Sequence, residues 1–286
     1  MSTTSPDRVA DGIERLPLRT PTLPPATHTN TYLVGTDEAI LVEPASPYPE
    51  EVVRAVHWVK KSGRRLLAIV ATHHHIDHVG GAKALAEALE VPLWAHPETA
   101  ARVPELYFDR HLAADEVLEL SGTTPMALRV VFTPGHAPGH ICLHAEASGA
   151  LIAGDMVASV GTILVEPVDG DMTLYLESLR RLIALSPSRI LPAHGDPIDE
   201  TEALLQHYID HRLWREEKIR KVVIANPGAA LDAIVRGAYD DVPPAVLPLA
   251  RASTEAHLIK LERDGRVTRQ RGADGPWWDP EEEPVR

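Results

Sequence analysis

The sequence predicts a layered α/β sandwich followed by a small winged-helix-like module, on three observations. Apolar runs of strand length occur in groups and alternate with helical stretches, a pattern that stacked sheets satisfy better than one doubly wound sheet. A long helical run from near Thr201 closes at Asn226-Pro227-Gly228, where proline and glycine together stop a helix. Beyond it the order is helix, strand, turn, strand, which is that of a winged helix. At 286 residues the chain has room for about two domains, placed at residues 1–211 and 212–286.

Each element has its own reason. TNTYLVG and AILVEP, flanking the turn Thr36-Asp37-Glu38, read as strands because β-branched and apolar residues are bounded by turn formers. PEEVVRAVHWVKK, residues 49–61, puts apolar side chains at helical spacing. LLAIVAT is a short continuous apolar run, expected as a buried strand, and GGAKALAEALE is helical by composition. PLWAH (92–96) reads as a strand and the stretch from there to Glu116 as loop. MALRVVFT, HICLHA and GALIAGD are successive strands, TLYLESLRRLIAL is a helix, and RILPAH is the strand after it. In the tail, STEAHLIKLERDG is a helix, and RVTRQ and PWWDP are strands joined by the turn GADG.

The formal net charge is −13, from 28 basic and 41 acidic side chains, which argues against a general polyanion binder. Residues 212–286 hold 13 of each sign, so the whole excess lies in residues 1–211. Bound cations would offset part of it. No apolar run approaches the ~20 residues that a membrane span needs, and the head MSTTSPDRVADG lacks the charged-then-apolar pattern of a leader. A soluble, cytoplasmic protein with no membrane partner is expected. Cys142 is the only cysteine, so no internal disulfide can form, which fits a reducing compartment. Its apolar setting, ICLHA, marks it as a core residue.

The densest chemistry lies in THHHIDHVGG, residues 72–81, which gathers His73, His74, His75 and His78 around Asp77. A single histidine is ordinarily a surface or core residue. A solvated loop does not explain this many, set between a buried strand and a glycine pair. In extended backbone, side chains two apart point the same way, so His73 and His75 can converge on one cation. Asp77 and His78 fall at a helix start, where a second cation can sit. Imidazole with carboxylate suits zinc, iron or manganese rather than calcium. Downstream, His136 and His140 follow VVFT in TPGHAPGH, Asp155 follows GALI, and His194 follows RIL. Taken singly, Asp155 reads as a turn cap and His194 as a surface residue. Their shared placement at strand ends, where sites assemble most readily, favours ligation.

This set, HxHxDH at 73–78 with His136, Asp155 and His194, resembles that of the metallo-β-lactamase superfamily. The resemblance implies a four-layer αββα sandwich, with one cation held by His73, His75 and His136, a second by Asp77, His78 and His194, and Asp155 bridging them. His74 and His140 are then not ligands. Two divalent ions are implied, zinc first, with iron or manganese as alternatives. Hydrolysis is implied too, by a water that the ions acidify and that Asp77, the catalytic residue, orients. TNTYLVG, GTILVEPVDGDMTLYLESL (161–179) and the stretch HGDPIDETEALLQHYIDHRLWREEKI are similar to the β-lactamase-like protein 2 branch, and the winged-helix-like tail belongs to the same resemblance, which covers nearly the whole chain. One departure stands out. Relatives commonly carry an aspartate followed by Thr-Gly after the second strand, where it helps to orient the site, whereas this chain has LVEPASP with Glu43. That support depends on whether the longer carboxylate reaches.

The branch contains thioesterases acting on carrier-bound acyl chains and single-strand-specific endoribonucleases. The loops PELYFDRHLAADE (104–116) and ASVGTILVEPVDGDM (158–172) are expected to shape the cleft. Their Leu106, Tyr107, Phe108, Ile163 and Leu164 suit an ester or thioester, with a small-molecule or carrier-bound acyl group as partner. One alternative is endoribonuclease action on single-stranded RNA, gripped by Arg263, Arg266, Arg269 and Arg271 with Trp277 and Trp278. The net charge and the neutral tail weigh against it. A second alternative is a mono-iron oxidoreductase of persulfide dioxygenase type, which keeps a related ligand set. Hydrolysis of β-lactams is not expected as the main activity, because the common zinc β-lactamases place a cysteine in the second site.

Overall fold

The computed structural model describes residues 5–272 and 275–281. Seven strands lie side by side in chain order: β1 (Asp7–Ala10), β2 (Ile13–Arg19), β3 (His28–Val34), β4 (Glu38–Val42), β5 (Arg65–Val70), β6 (Leu93–Ala95) and β7 (Arg110–His111). The first four are antiparallel neighbours. From β4 onward the strands are parallel, since α1 (Pro49–Ser62), α2 (Ile76–Val79), α3 (Ala82–Leu89) and α4 (Pro97–Ala100) lie in the crossovers. The second sheet is a meander of β8 (Val117–Leu120), β9 (Met126–Phe132), β10 (Ile141–Ala145) and β11 (Ala150–Gly154). After α5 (Met172–Leu185), β12 (Arg189–Pro192) returns parallel beside β11.

Side-chain alternation along the strands sets the layers. Ile40 and Val42 face a core shared with Leu128, Val130, Ile141 and Leu143 of the second sheet. Ala39 and Leu41, pointing the other way, meet Trp58, Val59 and Leu85 of α1 and α3. On the outer face of the second sheet, Cys142, Leu151 and Ala153 pack with Leu176 and Leu179 of α5 and with Leu205. The result is helices, sheet, sheet, helices, the expected αββα sandwich. Each fully buried leucine in these cores stabilises by about 1.5–3 kcal/mol. Cys142 is a core residue, as expected, and burial pushes its thiol up to about 12.

The tail begins in α6 (Thr201–Ala225), followed by β13 (Ala229–Ala230), α7 (Leu231–Ala238), α8 (Leu247–Arg263), β14 (Val267–Gly272) and β15 (Gly275–Pro280). Its sheet has the order β13-β15-β14, with Arg269 opposite Trp278. The centre of the GADG turn, residues 273–274, and the Arg271 side chain lie outside the described residues. α6 serves two cores: Leu205 and Ile209 belong with α5, whereas Ile219 and Val223 pack with Leu231, Ile234, Leu258 and Trp278. The expected division at 211/212 therefore falls within one continuous helix.

Several elements differ from expectation. β1 and β2 lie in the head, for which no element is assigned from the sequence. Pro17 is tolerated because β1 pairs only as far as Arg15, and beyond it β2 has β3 alone beside it. α4 and β7 occupy part of the stretch read as loop. α8 starts at Leu247, earlier than Ser253, with Pro248 in its first turn, where a missing N–H is harmless. Among the described residues no helix is long and apolar enough to cross a membrane.

Candidate metal centre

The carboxyl ends of four strands supply the site. After β5 the chain leaves the sheet through Thr72–His75, and His75 precedes the first turn of α2, which carries Asp77 and His78. β9, β11 and β12 lead to His136, Asp155 and His194. Close packing makes particular demands at two glycines. A Cβ on Gly81 would lie 2.5 Å from the Ser46 carbonyl, and one on Gly154, at φ 49, would lie 2.5 Å from the His140 ring.

The seven residues proposed as ligands come together as two adjoining groups. In the first, His73 Nε2, His75 Nδ1 and His136 Nε2 are 3.0 to 3.3 Å apart. Asp77, His78 and His194 form the second, with His194 Nε2 3.6 Å from Asp77 Oδ2 and His78 Nε2 3.8 Å from Asp77 Oδ1. Asp155 lies between them. Its Oδ1 is 3.4 Å from His194 Nε2 and 3.6 Å from His78 Nε2, while its Oδ2 is 3.6 Å from His136 Nε2.

All five of these imidazoles are anchored at one nitrogen, leaving the other for the centre. Thr72 Oγ1 donates to Glu43 Oε1 at 2.7 Å and accepts from His73 Nδ1 at 3.0 Å. Glu43 Oε1 also accepts from His78 Nδ1 at 3.0 Å. The Leu164 carbonyl accepts from His136 Nδ1 at 2.7 Å, and that of His28 from His194 Nδ1 at 3.0 Å. His75 gives Nε2 to Asp169 Oδ2 at 3.2 Å. His140, whose Nδ1 meets Thr133, accepts from the Asp155 backbone N–H at 3.0 Å and so fixes the turn that presents that carboxylate.

Two contributors escaped the sequence reading or stood in question there. Glu43 does reach: it is fully buried beneath His73 and His78 at φ 64. Asp169 had no signal of its own, since an aspartate in a loop 94 residues from His75 shows its contact only after folding. It also accepts from His74 Nε2, at 2.7 Å.

The electrostatics divide the two groups. Burial, reinforced by neighbouring imidazoles, holds His73 well below the usual histidine range, and burial takes His136 down to about 4 despite Asp155. These rings stay neutral with free lone pairs. Burial opposes protonation of His78 and His194 as well. There the carboxylates prevail, Glu43 first for His78 and Asp155 for His194, and both rise. Asp155 is held well below the carboxylate range, as His194 and His78 outweigh the cost of its burial. Burial likewise opposes ionisation of Asp169, and the hydrogen bonds from His74 and His75 overcome it.

The donor set fits divalent cations. Three nitrogens at this spacing match the ~2.0–2.1 Å Zn–N bonds of a tetrahedral ion. The buried His78 Nε2 and Asp155 Oδ1 have no hydrogen-bond partner among the described residues, an expensive arrangement unless a cation takes their lone pairs.

Over this centre opens a cleft of about 240 Å³, with His75, Asp77, His136, Asp155 and His194 at its floor. Leu23, Pro24, Ile76, Val160, Ile163 and Leu164 form apolar walls. Loop 158–172 contributes as expected. Loop 104–116 does not, among the described residues: Phe108 is buried against the α1 and α3 side of the first sheet, Leu106 packs on the same core, and Tyr107 is exposed. The head segment 21–26 supplies the wall instead, because it crosses the strand ends after β2.

A site of this kind on an αββα sandwich defines a metallo-β-lactamase-fold hydrolase, and the comparisons agree. The pattern of the metallo-beta-lactamase superfamily matches residues 24–194, and that of the beta-lactamase associated winged helix domain matches 230–277. The chain belongs to this superfamily. It is 31% identical over 259 residues to the beta-lactamase-like protein 2 homolog of Drosophila melanogaster, covering 86% of each chain. The thioesterase pkgB of Emericella nidulans is 32% identical over 197 residues, 68% of this chain and 54% of that protein. A crystal structure of a beta-lactamase domain protein from Burkholderia ambifaria shares the fold, with TM-score 0.84, 24% identity, and coverage of 96% of this chain and 93% of that one.

Proposed function

We propose that the protein hydrolyses esters or thioesters using two divalent cations. His73, His75 and His136 would hold one, Asp77, His78 and His194 the other, and Asp155 would span them with one oxygen toward each. The observation that carries this reading is the shared arrangement of the five imidazoles, each tied to a protein oxygen at one nitrogen and turned to a common centre at the other. Zinc suits these donors best, with iron or manganese next. Such ions supply Lewis acidity and bring the pKa of water down to about 7.

The chain's own groups do the rest. Asp77, its side chain 13% exposed at the cleft floor, orients the attacking water and takes up its proton. Asp155 fixes the spacing of the two groups, and His140 fixes Asp155. The walls of Leu23, Ile163 and Leu164 exclude water from an acyl chain and hold its carbonyl over the centre. The likeness to a protein named a thioesterase supports the same substrate class.

The test is a panel of acyl thioesters, lactones, single-stranded RNA and nitrocefin, run with protein of defined metal content. Thioester or lactone turnover is expected. Asp77→Asn should cut it by about 10²–10⁴-fold, the scale of a lost general base, and weaken binding of the second cation, while the melting temperature without metal stays close to wild type. An Asp77→Asn protein as fast as wild type would remove the mechanism. Oxygen uptake by protein carrying a single iron would instead identify an oxidoreductase of persulfide dioxygenase type.

A further inference from the structure

His74 stands between two proposed ligands, yet its ring turns away from the first group and toward loop 158–172. There His74 Nε2 and His75 Nε2 both meet Asp169 Oδ2, at 2.7 and 3.2 Å. All three side chains are part-buried, the carboxylate being 13% exposed at the cleft edge. We propose that Asp169 is a positioning residue for the metal centre, holding His75 in the tautomer and ring orientation that points Nδ1 inward, and that His74 serves to hold Asp169. The inference rests on the metal-centre reading above.

The physical argument begins with His75. It is the most exposed of the five imidazoles, its side chain 28% accessible, and it alone faces the centre through Nδ1. Of the other four, His73 and His78 are tied to the buried Thr72 and Glu43, and His136 and His194 to main-chain carbonyls. A ring at the cleft edge can flip or change tautomer, and the first change would place a C–H, the second an N–H, where a lone pair is needed. A carboxylate on Nε2 prevents both and makes Nδ1 more basic.

Asp169 can do this because its loop is pinned on every side. The Leu164 carbonyl is bonded to His136, and that of Ile163 to Arg212 of α6. Gly170 N–H donates to Glu166 O at 2.7 Å, and Asp171 N–H to Gly135 O at 2.8 Å. Asp171 caps α5 through Thr173 and Leu174 and pairs with Arg263 of α8. His74 supplies the shorter of the two bonds to Asp169, which explains a histidine at a position that contributes nothing to either cation group.

A third cation among His74, His75 and Asp169 is the competing reading, as their donor atoms lie close enough. It would require His75 to ligate through both nitrogens as an imidazolate. The 2.7 and 3.2 Å separations on one shared oxygen are those of hydrogen bonds.

The experiment uses the full chain as wild type, Asp169→Ala, Asp169→Asn and His74→Phe. Zinc stoichiometry and affinity come from chelator competition, the site's environment from the visible spectrum of the cobalt-substituted protein, and folding from the melting temperature without metal. Asp169→Ala should bind one of its two zinc ions about 10–100-fold more weakly, the range for a lost partner behind a metal ligand. Its cobalt spectrum should change while the metal-free melting temperature holds. Asp169→Asn, which keeps an acceptor, should recover part of the affinity, and His74→Phe should give a weaker form of the same defect. Wild-type affinity and spectrum in Asp169→Ala, with two zinc ions bound, would overturn this inference and leave the metal centre standing. Three zinc ions in wild type and two in Asp169→Ala would overturn it by making Asp169 a ligand. A wild-type protein that takes up no zinc, cobalt, iron or manganese would overturn both.

Discussion

Glu43 leaves the end of β4 with a left-handed backbone, φ 64, a conformation that costs a non-glycine residue about 1–3 kcal/mol and persists where the surroundings enforce it. What it secures here is one buried oxygen serving both Thr72 and His78. Glu43→Ala should therefore weaken metal binding and turnover by about 10–100-fold, and Glu43→Asp should restore little because the shorter arm loses one of the two contacts. Zinc affinity measured for both variants checks this; an aspartate variant equal to wild type would show that side-chain length is not what matters. The seven convergent residues were legible in the sequence because they follow apolar runs, whose strand ends are where such groups can meet, and because the resemblance to the superfamily separated them from His74 and His140. Asp169, the His28 and Leu164 carbonyls and the reach of Glu43 were not. Their roles arise from contacts between distant segments, and no local pattern encodes those.

At the scale of elements, α6 has the most to reconcile. Its buried residues include Arg212, Arg215 and Glu216 as well as Leu205, Ile209 and Ile219, because its two halves face different cores and a polar seam runs between them. Glu216 accepts from His257 Nδ1 at 3.1 Å and from Lys260 Nζ at 2.8 Å, joining α6 to α8. Burial opposes its ionisation, and these two donors hold its pKa below the usual carboxylate range. A carboxyl whose folded pKa is depressed contributes stability that is present above its unfolded value, about 4.3, and is lost as pH falls through the folded value. The wild type should thus lose melting temperature more steeply than Glu216→Gln as pH drops below about 4.3. Parallel slopes for the two proteins would show that the pair contributes nothing. The same helix shows what sequence periodicity conveys. Its length and its stop at Asn226-Pro227-Gly228 were legible, but its division between two cores was not, since a seam of arginines and glutamate looks like a solvated face. β2 carries Pro17, and only the sheet's layout shows that this proline lies beyond the reach of β1.

The whole molecule bears on RNA as the alternative substrate. A single strand is held by free cations along its phosphates and by open aromatic faces under its bases. In the tail two of the arginines and one of the tryptophans are already engaged. Arg263 is engaged by Asp171 of the catalytic side, and Arg269 is 3.2 Å from Glu262 while lying over the Trp278 ring. Trp278, 1% exposed, is a core residue packed with Ile219, Val223 and Leu258, so no base can stack on it. The tail also packs on the catalytic side: Ala256 of α8 enters the core of the second sheet and α5, and Arg263 pairs with Asp171 at the start of α5. The net charge of −13 adds long-range repulsion against any polyanion. A protein that neutralised even six phosphates would lose about 10³-fold or more in affinity between 50 and 200 mM salt. The expectation here is weak binding of single-stranded RNA at low salt, without that steep decline, alongside thioester turnover that salt barely changes. A filter-binding or anisotropy titration across that range decides it, because a slope of the phosphate-binding kind would mean that the arginines of the wing release their carboxylate partners for RNA and that the substrate class must be reassigned.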